Sequence, residues 1–274
     1  MDKLVVNSPA KINLGLNVID KRSDGYHNLN TIFYPLKLSD KITLTKSDTF
    51  NFDLNNPELL KENLIIKAKE LLEKESNKKF NCNIYLEKNI PIGAGLGGGS
   101  SNAATTLKSL ITLFGLNYSD KELMNFALKL GSDAPFFINP TPSFASSRGE
   151  ILQNIDLKLQ GYILLINPGI HISTKWAFNL ITLKNNKIEW SDIPNQINRN
   201  NNISEILTND FEEVVFKEYS EIENIKKKLL DSGAYFSLMT GTGSTVYGLF
   251  DDFNKVESIK EEFPKNYFIY IEKL

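Results

Sequence analysis

The sequence predicts an α+β fold in two domains. Three observations carry this. The chain has 274 residues, near the size at which single cores tend to divide. Its first segment alternates apolar and polar residues with a period of two, whereas later segments repeat at helical spacing. Strands and helices mix without the steady β-α alternation of a doubly wound sheet. Residues 1–155 are expected to form a first domain and 156–274 a second.

The elements follow in order. Ala10, Ile12, Leu14, Leu16 and Val18 alternate with Lys11, Asn13, Gly15 and Asn17, a strand with one apolar face. Asp24-Gly25 marks a turn. Thr31–Tyr34 and Lys41–Thr45 continue the strand character. From Asn63 a helix is expected, with Leu64, Ile65, Ala68, Leu71 and Leu72 on one face. Asn83–Leu86 reads as a strand. After a glycine-rich stretch, Ala103, Leu107, Leu110, Ile111 and Phe114 give helical spacing that Gly115 ends. Ser119 and Glu122 form a capping box for a helix stopped by Gly131. In the second half, Tyr162–Ile166 is a buried-strand pattern. Residues 184–202, rich in Asn and Lys, read as an exposed connection, and 203–219 as a helix. Ser220 and Glu223 open another helix, with Ile222, Ile225 and Leu229 inside. Phe236–Met239 and Val246–Phe250 read as strands around a glycine turn. Val256, Ile259 and Phe263 mark a helix, and Phe268–Ile271 a last strand.

Composition excludes several function classes. The formal net charge is −2, so no global basic field points to nucleic acid or a membrane surface. No apolar run approaches the ~18 residues of a membrane-spanning helix, and no secretory leader pattern opens the chain. Cys82, the single cysteine, has no partner for an intramolecular disulfide, which fits a reducing compartment. The chain therefore reads as cytoplasmic. Cys82 lies in a strand pattern and reads as a packing residue. With two histidines, His27 and His171, a transition-metal site is not expected.

The densest chemical signal is Pro91-Ile92-Gly93-Ala94-Gly95-Leu96-Gly97-Gly98-Gly99-Ser100-Ser101, running into a helix. Glycine permits tight turns and close backbone approach. Unpaired N–H groups and the positive end of the dipole at a helix start favour phosphate. This loop therefore points to a nucleotide. It is not a Walker A loop, because no lysine precedes Ser100. Pro91 and the helix-after-helix order speak against a dinucleotide fold. The protein-kinase signatures are missing.

The central string Pro91–Ser101 with Asn102-Ala103-Ala104 closely resembles the phosphate-loop motif of the GHMP small-molecule kinases. Ser8-Pro9-Ala10-Lys11-Ile12-Asn13-Leu14 resembles the first motif of that family, and Met239–Val246 its third. Arg22-Ser23-Asp24-Gly25-Tyr26-His27-Asn28-Leu29 and Gly131-Ser132-Asp133-Ala134-Pro135-Phe136 are similar to segments of the members that act on a CDP-linked methylerythritol. The resemblance implies a two-domain GHMP kinase fold with the active site in the cleft between domains. It also implies ATP with Mg²⁺, and phosphoryl transfer to the 2-hydroxyl of that small-molecule substrate. Another acceptor of the family, such as homoserine, mevalonate or a sugar, is the alternative. A catalytically silent nucleotide-binding protein of the same fold is a third reading, which the presence of both Lys11 and Asp133 opposes. A monomer or a homodimer is expected.

The resemblance also implies roles. Asp133 would be the catalytic base; without the resemblance, an Asp two residues before Pro135 reads as a turn cap. Lys11 would be its partner; the plain reading is an exposed strand lysine. Pro91, Ile92, Gly93, Ala94, Gly95, Leu96, Gly97, Gly98, Gly99, Ser100 and Ser101 would hold ATP, with Asn63 and Leu64 on the adenine side and Lys88 as a basic residue before the loop. Tyr26 and His27 would recognise cytosine, since aromatic rings stack on base faces and His offers a donor and an acceptor. Phe178 would supply a second stacking face, with Trp176 as its competitor, and Thr174 a polar contact. Asn13, Thr240 and Gly241 complete the acceptor side. No protein ligand set for Mg²⁺ stands out, and the ion would arrive on ATP.

Overall fold

The computed structural model describes residues 1–55, 63–183, 188–198 and 206–274. The chain forms two compact units. One comprises Met1–Lys11, Pro35–Ile92 and Gly97–Pro140; the other comprises Ile12–Tyr34, Gly93–Leu96 and Thr141–Leu274. The units interleave in sequence instead of meeting at one boundary after residue 155. The reason is the length of the first two strands, β1 (Lys3–Lys21) and β2 (His27–Lys46). Strands of 19 and 20 residues far exceed the usual 5–6, so each serves one core with one part and the other core with the rest.

In the first unit, Lys41–Lys46 of β2 pairs antiparallel with β4 (Cys82–Glu87), and β3 (Asn51–Leu54) pairs parallel with β4. Helix α1 (Leu64–Ser76) starts where the Asn63 side chain accepts from the Ile65 N–H, and it buries Ile65, Ala68 and Leu72. Helix α2 (Gly98–Phe114) ends at Gly115, whose left-handed backbone (φ 63°) turns its N–H back onto Ile111 and Thr112. Helix α3 (Asp120–Leu130) has the expected capping box between Ser119 and Glu122. A 3-10 turn, Ala134–Ile138, follows. Cys82 is buried here, and burial pushes its thiol up to about 11, so it is a packing residue rather than a reactive thiolate.

In the second unit, Thr31–Phe33 of β2 pairs antiparallel with β5 (Ser143–Ser146), which pairs with β6 (Ile151–Asn154). A separate antiparallel sheet has the order β10–β7–β9–β8, formed by β7 (Tyr162–Asn167), β8 (Phe236–Met239), β9 (Val246–Phe250) and β10 (Phe268–Lys273). The helices of this unit are α4 (Thr174–Leu180), α5 (Ile193–Asn198), α6 (Phe211–Glu218), α7 (Ser220–Asp231) and α8 (Phe253–Lys260). Leu164, Ile166, Val246 and Phe250 of the sheet share a core with Phe211, Ile222, Ile225, Leu229, Val256 and Ile259 of the helices.

The sequence did not signal β3, β5 and β6, which are four residues each and carry polar residues. The connection expected over 184–202 is more ordered where it is described: α5 forms, and Trp190, Ile193 and Ile197 are buried. Residues 184–187 and 199–205 lie outside the described residues. The helix expected over 203–219 is present only as Phe211–Glu218 among the described residues. Before it, Leu16 donates to the Thr208 carbonyl and accepts from the Asp210 N–H, which holds the segment extended. The box expected from Ser220 does not form either, because Tyr219 takes the cap position without a side-chain bond.

Two glycines of the loop behave differently on replacement. A Cβ on Gly95, whose φ is +76°, would lie 2.1 Å from the Thr240 carbonyl oxygen, a backbone atom of the same unit. Gly99 has ordinary helical geometry, and a Cβ there would meet only Leu64 Cδ1 at 3.4 Å. Gly95→Ala should therefore destabilise the protein by about 2 kcal/mol or more, and Gly99→Ala should stabilise it by ~0.5–1 kcal/mol. Urea unfolding of both variants checks the contrast.

Candidate functional site

The polar side of β1 is not solvated. Lys11 is only 3% exposed, so an ammonium has been withdrawn from water, which is costly unless a partner answers it. Its Nζ lies 3.7 Å from Asp133 Oδ2. Asp133 immediately precedes the 3-10 turn, but its side chain makes no capping hydrogen bond there. The structure thus places the carboxylate opposite Lys11 and not in the turn-capping role. Burial holds the Lys11 pKa below the ordinary 10.5, and the attraction of Asp133 opposes that shift. Asp133 keeps 35% exposure, so the pair has one dry end and one wet end. Gly97 makes room for it: a Cβ there would stand 2.8 Å from Phe137 Cζ and 3.2 Å from Lys11 Cε.

The first unit also contains the start of α2. Gly97 is its N-cap, with φ 71°, and Ser101 donates the first helical bond to the Gly97 carbonyl. The N–H groups of Gly98, Gly99 and Ser100 precede that bond and therefore have no intrahelical acceptor. Gly99 is exposed, and Ser100 is half-buried. Ser101 is fully buried, and its hydroxyl accepts from Ser8; its side chain faces the core. Leu64 borders Gly99, while the Asn63 side-chain oxygen caps its own helix. Pro91 and Ile92 lead to the loop with Ile92 exposed.

Lys88 Nζ donates to Asp40 Oδ2 (2.7 Å) and to the Ile90 carbonyl (2.6 Å). A Cβ on Gly98 would lie 3.1 Å from that nitrogen. Lys88 therefore sits at the helix start, with its charge already answered. Asp40 is fully buried and also accepts from the Asn89 and Ile90 N–H groups. It fixes the approach to the loop, and an Asp within an apolar strand pattern was the signal that could have found it.

In the second unit, Gly93–Leu96 is held from within. The Gly95 carbonyl accepts from the Thr240 hydroxyl, and the Ala94 carbonyl accepts from the Thr245 N–H. Ala94 and Leu96 are buried. His171 fills the space beside Gly93, where a Cβ would stand 2.7 Å from its Nδ1. The Thr240 hydroxyl also accepts from the Asn13 N–H (3.0 Å), and the Asn13 amide donates to Thr31. Gly241, at φ 58°, would press a Cβ against Gly95 at 3.2 Å. Asn13, Thr240 and Gly241 are thus brought together.

Two rings of this unit pack directly on each other. His27 stacks on Phe178, with centroids 4.9 Å apart and planes 22° apart. Burial and the nearby Lys21 lower the His27 pKa, which favours the neutral ring. Tyr26 is 52% exposed, and the Arg148 guanidinium lies 4.2 Å from its ring centre. Trp176 packs edge-on against Tyr219, away from this stack. Thr174 opens α4 and shares a hydrogen bond with Thr242. Arg148 and the segment Asn209–Glu212 were not anticipated. Among the described residues, no grouping of three or more His, Cys, Asp or Glu side chains could hold a metal ion, and no helix is long and apolar enough to cross a membrane.

Comparison with known proteins decides the family. The model for GHMP kinases N terminal domain matches residues 63–139, and that for GHMP kinases C terminal matches 191–269. A 4-diphosphocytidyl-2-C-methyl-D-erythritol kinase of Bacteroides thetaiotaomicron is 45% identical over 254 residues, covering 88% of this chain and 90% of the relative. The enzyme of that name from Bacteroides fragilis is 42% identical over 264 residues, covering 92% and 94%. The chain belongs to the GHMP kinases. A crystal structure of 4-(cytidine 5'-diphospho)-2C-methyl-D-erythritol kinase, 28% identical, superposes with a TM-score of 0.85 over 98% of each chain. The two-domain α+β architecture of this GHMP kinase is therefore that of its family.

Lys11→Met tests whether the buried charge serves the fold or the chemistry. Met fills the volume of the lysine stem and removes the desolvated charge, and the carboxylate it leaves behind is 35% exposed and can hydrate. The variant should unfold at the same urea concentration or higher, while kcat falls on the order of 100-fold or more. In the unsubstituted enzyme, loss of the proton from Lys11 should bring the alkaline fall of kcat below pH 10.5, because burial lowers that pKa. A kcat–pH profile reads this limb directly.

Proposed function

We propose that this chain transfers the γ-phosphoryl group of ATP to the 2-hydroxyl of 4-diphosphocytidyl-2-C-methyl-D-erythritol, a step in non-mevalonate isoprenoid precursor biosynthesis. The observation that carries the reaction class is the Lys11–Asp133 pair: a buried ammonium 3.7 Å from a carboxylate with no capping role. Phosphoryl transfer asks a protein mainly for positioning and for charge stabilisation. Asp133 accepts the proton of the acceptor hydroxyl. The hydroxyl oxygen bonds to the γ-phosphorus, the bond to the β–γ bridging oxygen breaks, and ADP leaves. Lys11 holds its positive charge toward the oxygens on which negative charge accumulates, and its burial strengthens that interaction.

The residues at the start of α2 suit a nucleotide. Gly98, Gly99 and Ser100 offer N–H groups with no intrahelical acceptor, and the bare Gly99 surface permits close approach. Leu64 offers an apolar contact for adenine. We assign Lys88 a share in this charge through its place at the helix start, with Asp40 holding it. Mg²⁺ bound to ATP would neutralise phosphate charge and keep much of its water, so it needs few protein ligands. A reaction that consumes ATP is compatible with the cytoplasmic reading of the sequence.

The acceptor is narrowed by rings. Tyr26, His27 and Phe178 of the second unit are suited to a pyrimidine base, by stacking and by edge hydrogen bonds. Homoserine and mevalonate carry no base to engage them. The identity to enzymes named for the CDP-linked acceptor supports the same choice.

An ADP-release assay across acceptors tests the proposal. Turnover is expected with 4-diphosphocytidyl-2-C-methyl-D-erythritol and little with methylerythritol lacking the cytidine. Comparable turnover of homoserine or mevalonate would refute the acceptor. Asp133→Asn should lower kcat on the order of 10²–10⁴-fold with the KM for ATP nearly unchanged; an unaltered kcat would remove Asp133 from the chemistry.

A further inference from the structure

The segment Asn209-Asp210-Phe211-Glu212 reads in the sequence as helix interior, yet each of its side chains is directed at a different part of the second unit. Asn209 is buried, and its amide nitrogen donates to two carbonyls, Met239 at 2.7 Å and Gly241 at 2.8 Å. Its side-chain oxygen accepts from the N–H of Phe211, the first residue of α6. The two carbonyls flank Thr240. The Thr240 hydroxyl in turn holds the Asn13 backbone and the Gly95 carbonyl. Phe211 is fully buried, and it meets the Phe178 ring edge-on at 4.8 Å and 81°. Phe178 presents a face to His27.

We infer that Asn209 is a positioning residue for the acceptor. Its two donated bonds fix the Met239–Gly241 turn, and the bond it accepts from the Phe211 N–H fixes the residue whose ring supports Phe178. This rests on the reading of Asn13, Thr240, His27 and Phe178 as acceptor contacts. Asn209 itself touches no reacting atom in this account.

The segment does not depend on Asn209 to stay folded. The Asp210 carboxylate accepts from the Val18 N–H and the Asn17 amide. Glu212 accepts from the Met239 N–H and from Lys226. The backbone of 208–210 is bonded to Leu16 on both sides. Removing the two Asn209 donors therefore loosens the turn and leaves the scaffold in place. Asn209→Asp does this with almost no change in volume: it keeps the acceptor for Phe211, and its carboxylate oxygen faces two carbonyl oxygens that repel it, while the protonated acid restores at most one of the two bonds.

Steady-state kinetics with 4-diphosphocytidyl-2-C-methyl-D-erythritol and ATP, each varied at saturating partner, provide the test. Asn209→Asp should raise the acceptor KM about tenfold or more, with the KM for ATP changed less than about twofold. Phe211→Leu, which keeps the core filled and removes the ring edge, should raise the acceptor KM several-fold in the same selective way. An equal rise in both KM values, a fall in kcat alone, or loss of folded protein in both variants overturns the inference, because each marks a general scaffold role. If the unsubstituted enzyme does not turn over this acceptor, the proposed function fails and the inference falls with it. If it does and the acceptor KM is unmoved by either variant, only the inference fails.

Discussion

A buried ammonium is the constraint around which the first unit is organised. Lys11 has lost nearly all contact with water, and an isolated charge so placed would deprotonate or pull the strand outward. The Asp133 carboxylate opposite it prevents this. The arrangement is a poor source of stability, since the desolvation of Lys11 is seldom repaid by one partly exposed carboxylate. In the proposed reaction its value is electrostatic: a fixed positive charge in a dry place would act strongly on a phosphoryl oxygen brought near it. Gly97 is glycine partly for this reason, since a side chain there would displace Phe137 and the Lys11 stem.

The glycine loop divides its work. Gly93, Gly95 and Gly97 have positive φ and lie against protein atoms: His171, the Thr240 carbonyl, and Phe137 with Lys11. These three are required by packing inside their own units. Gly99 has neither a positive φ nor a crowded Cβ direction, so no packing requirement inside its unit accounts for it, and the proposed function assigns its bare surface to the nucleotide. A loop that looks uniform in sequence thus has residues with different physical reasons.

Much of the fold was legible. The capping box at Ser119, the glycine stops at Gly115 and Gly131, and the strands Tyr162–Asn167 and Val246–Phe250 follow from local pattern, because short-range hydrogen bonds and periodicity determine them. The interleaving of the units was not legible, since the alternation in β1 continues unbroken where the strand leaves one core for the other. The paired carboxylate and lysine were legible only through resemblance; spacing alone left Asp133 as a turn cap and Lys11 as a surface residue. Asn209 and Asp40 were missed because their partners are carbonyls and N–H groups far along the chain, and side-chain bonds to distant backbone leave no periodic trace. The rings stood out in the sequence, but the pairing of His27 with Phe178, and of Tyr26 with Arg148, depends on tertiary placement.

The central claim is that Lys11 and Asp133 act as one unit in the chemical step. A double-mutant cycle on kcat tests it most directly, with Lys11→Met, Asp133→Asn and the double variant measured under saturating ATP and acceptor. Residues that act together lose their effect together. The double variant should be no more than about threefold slower than the slower single variant. Losses that multiply, so that the double variant falls by the product of the two single effects, would contradict the account.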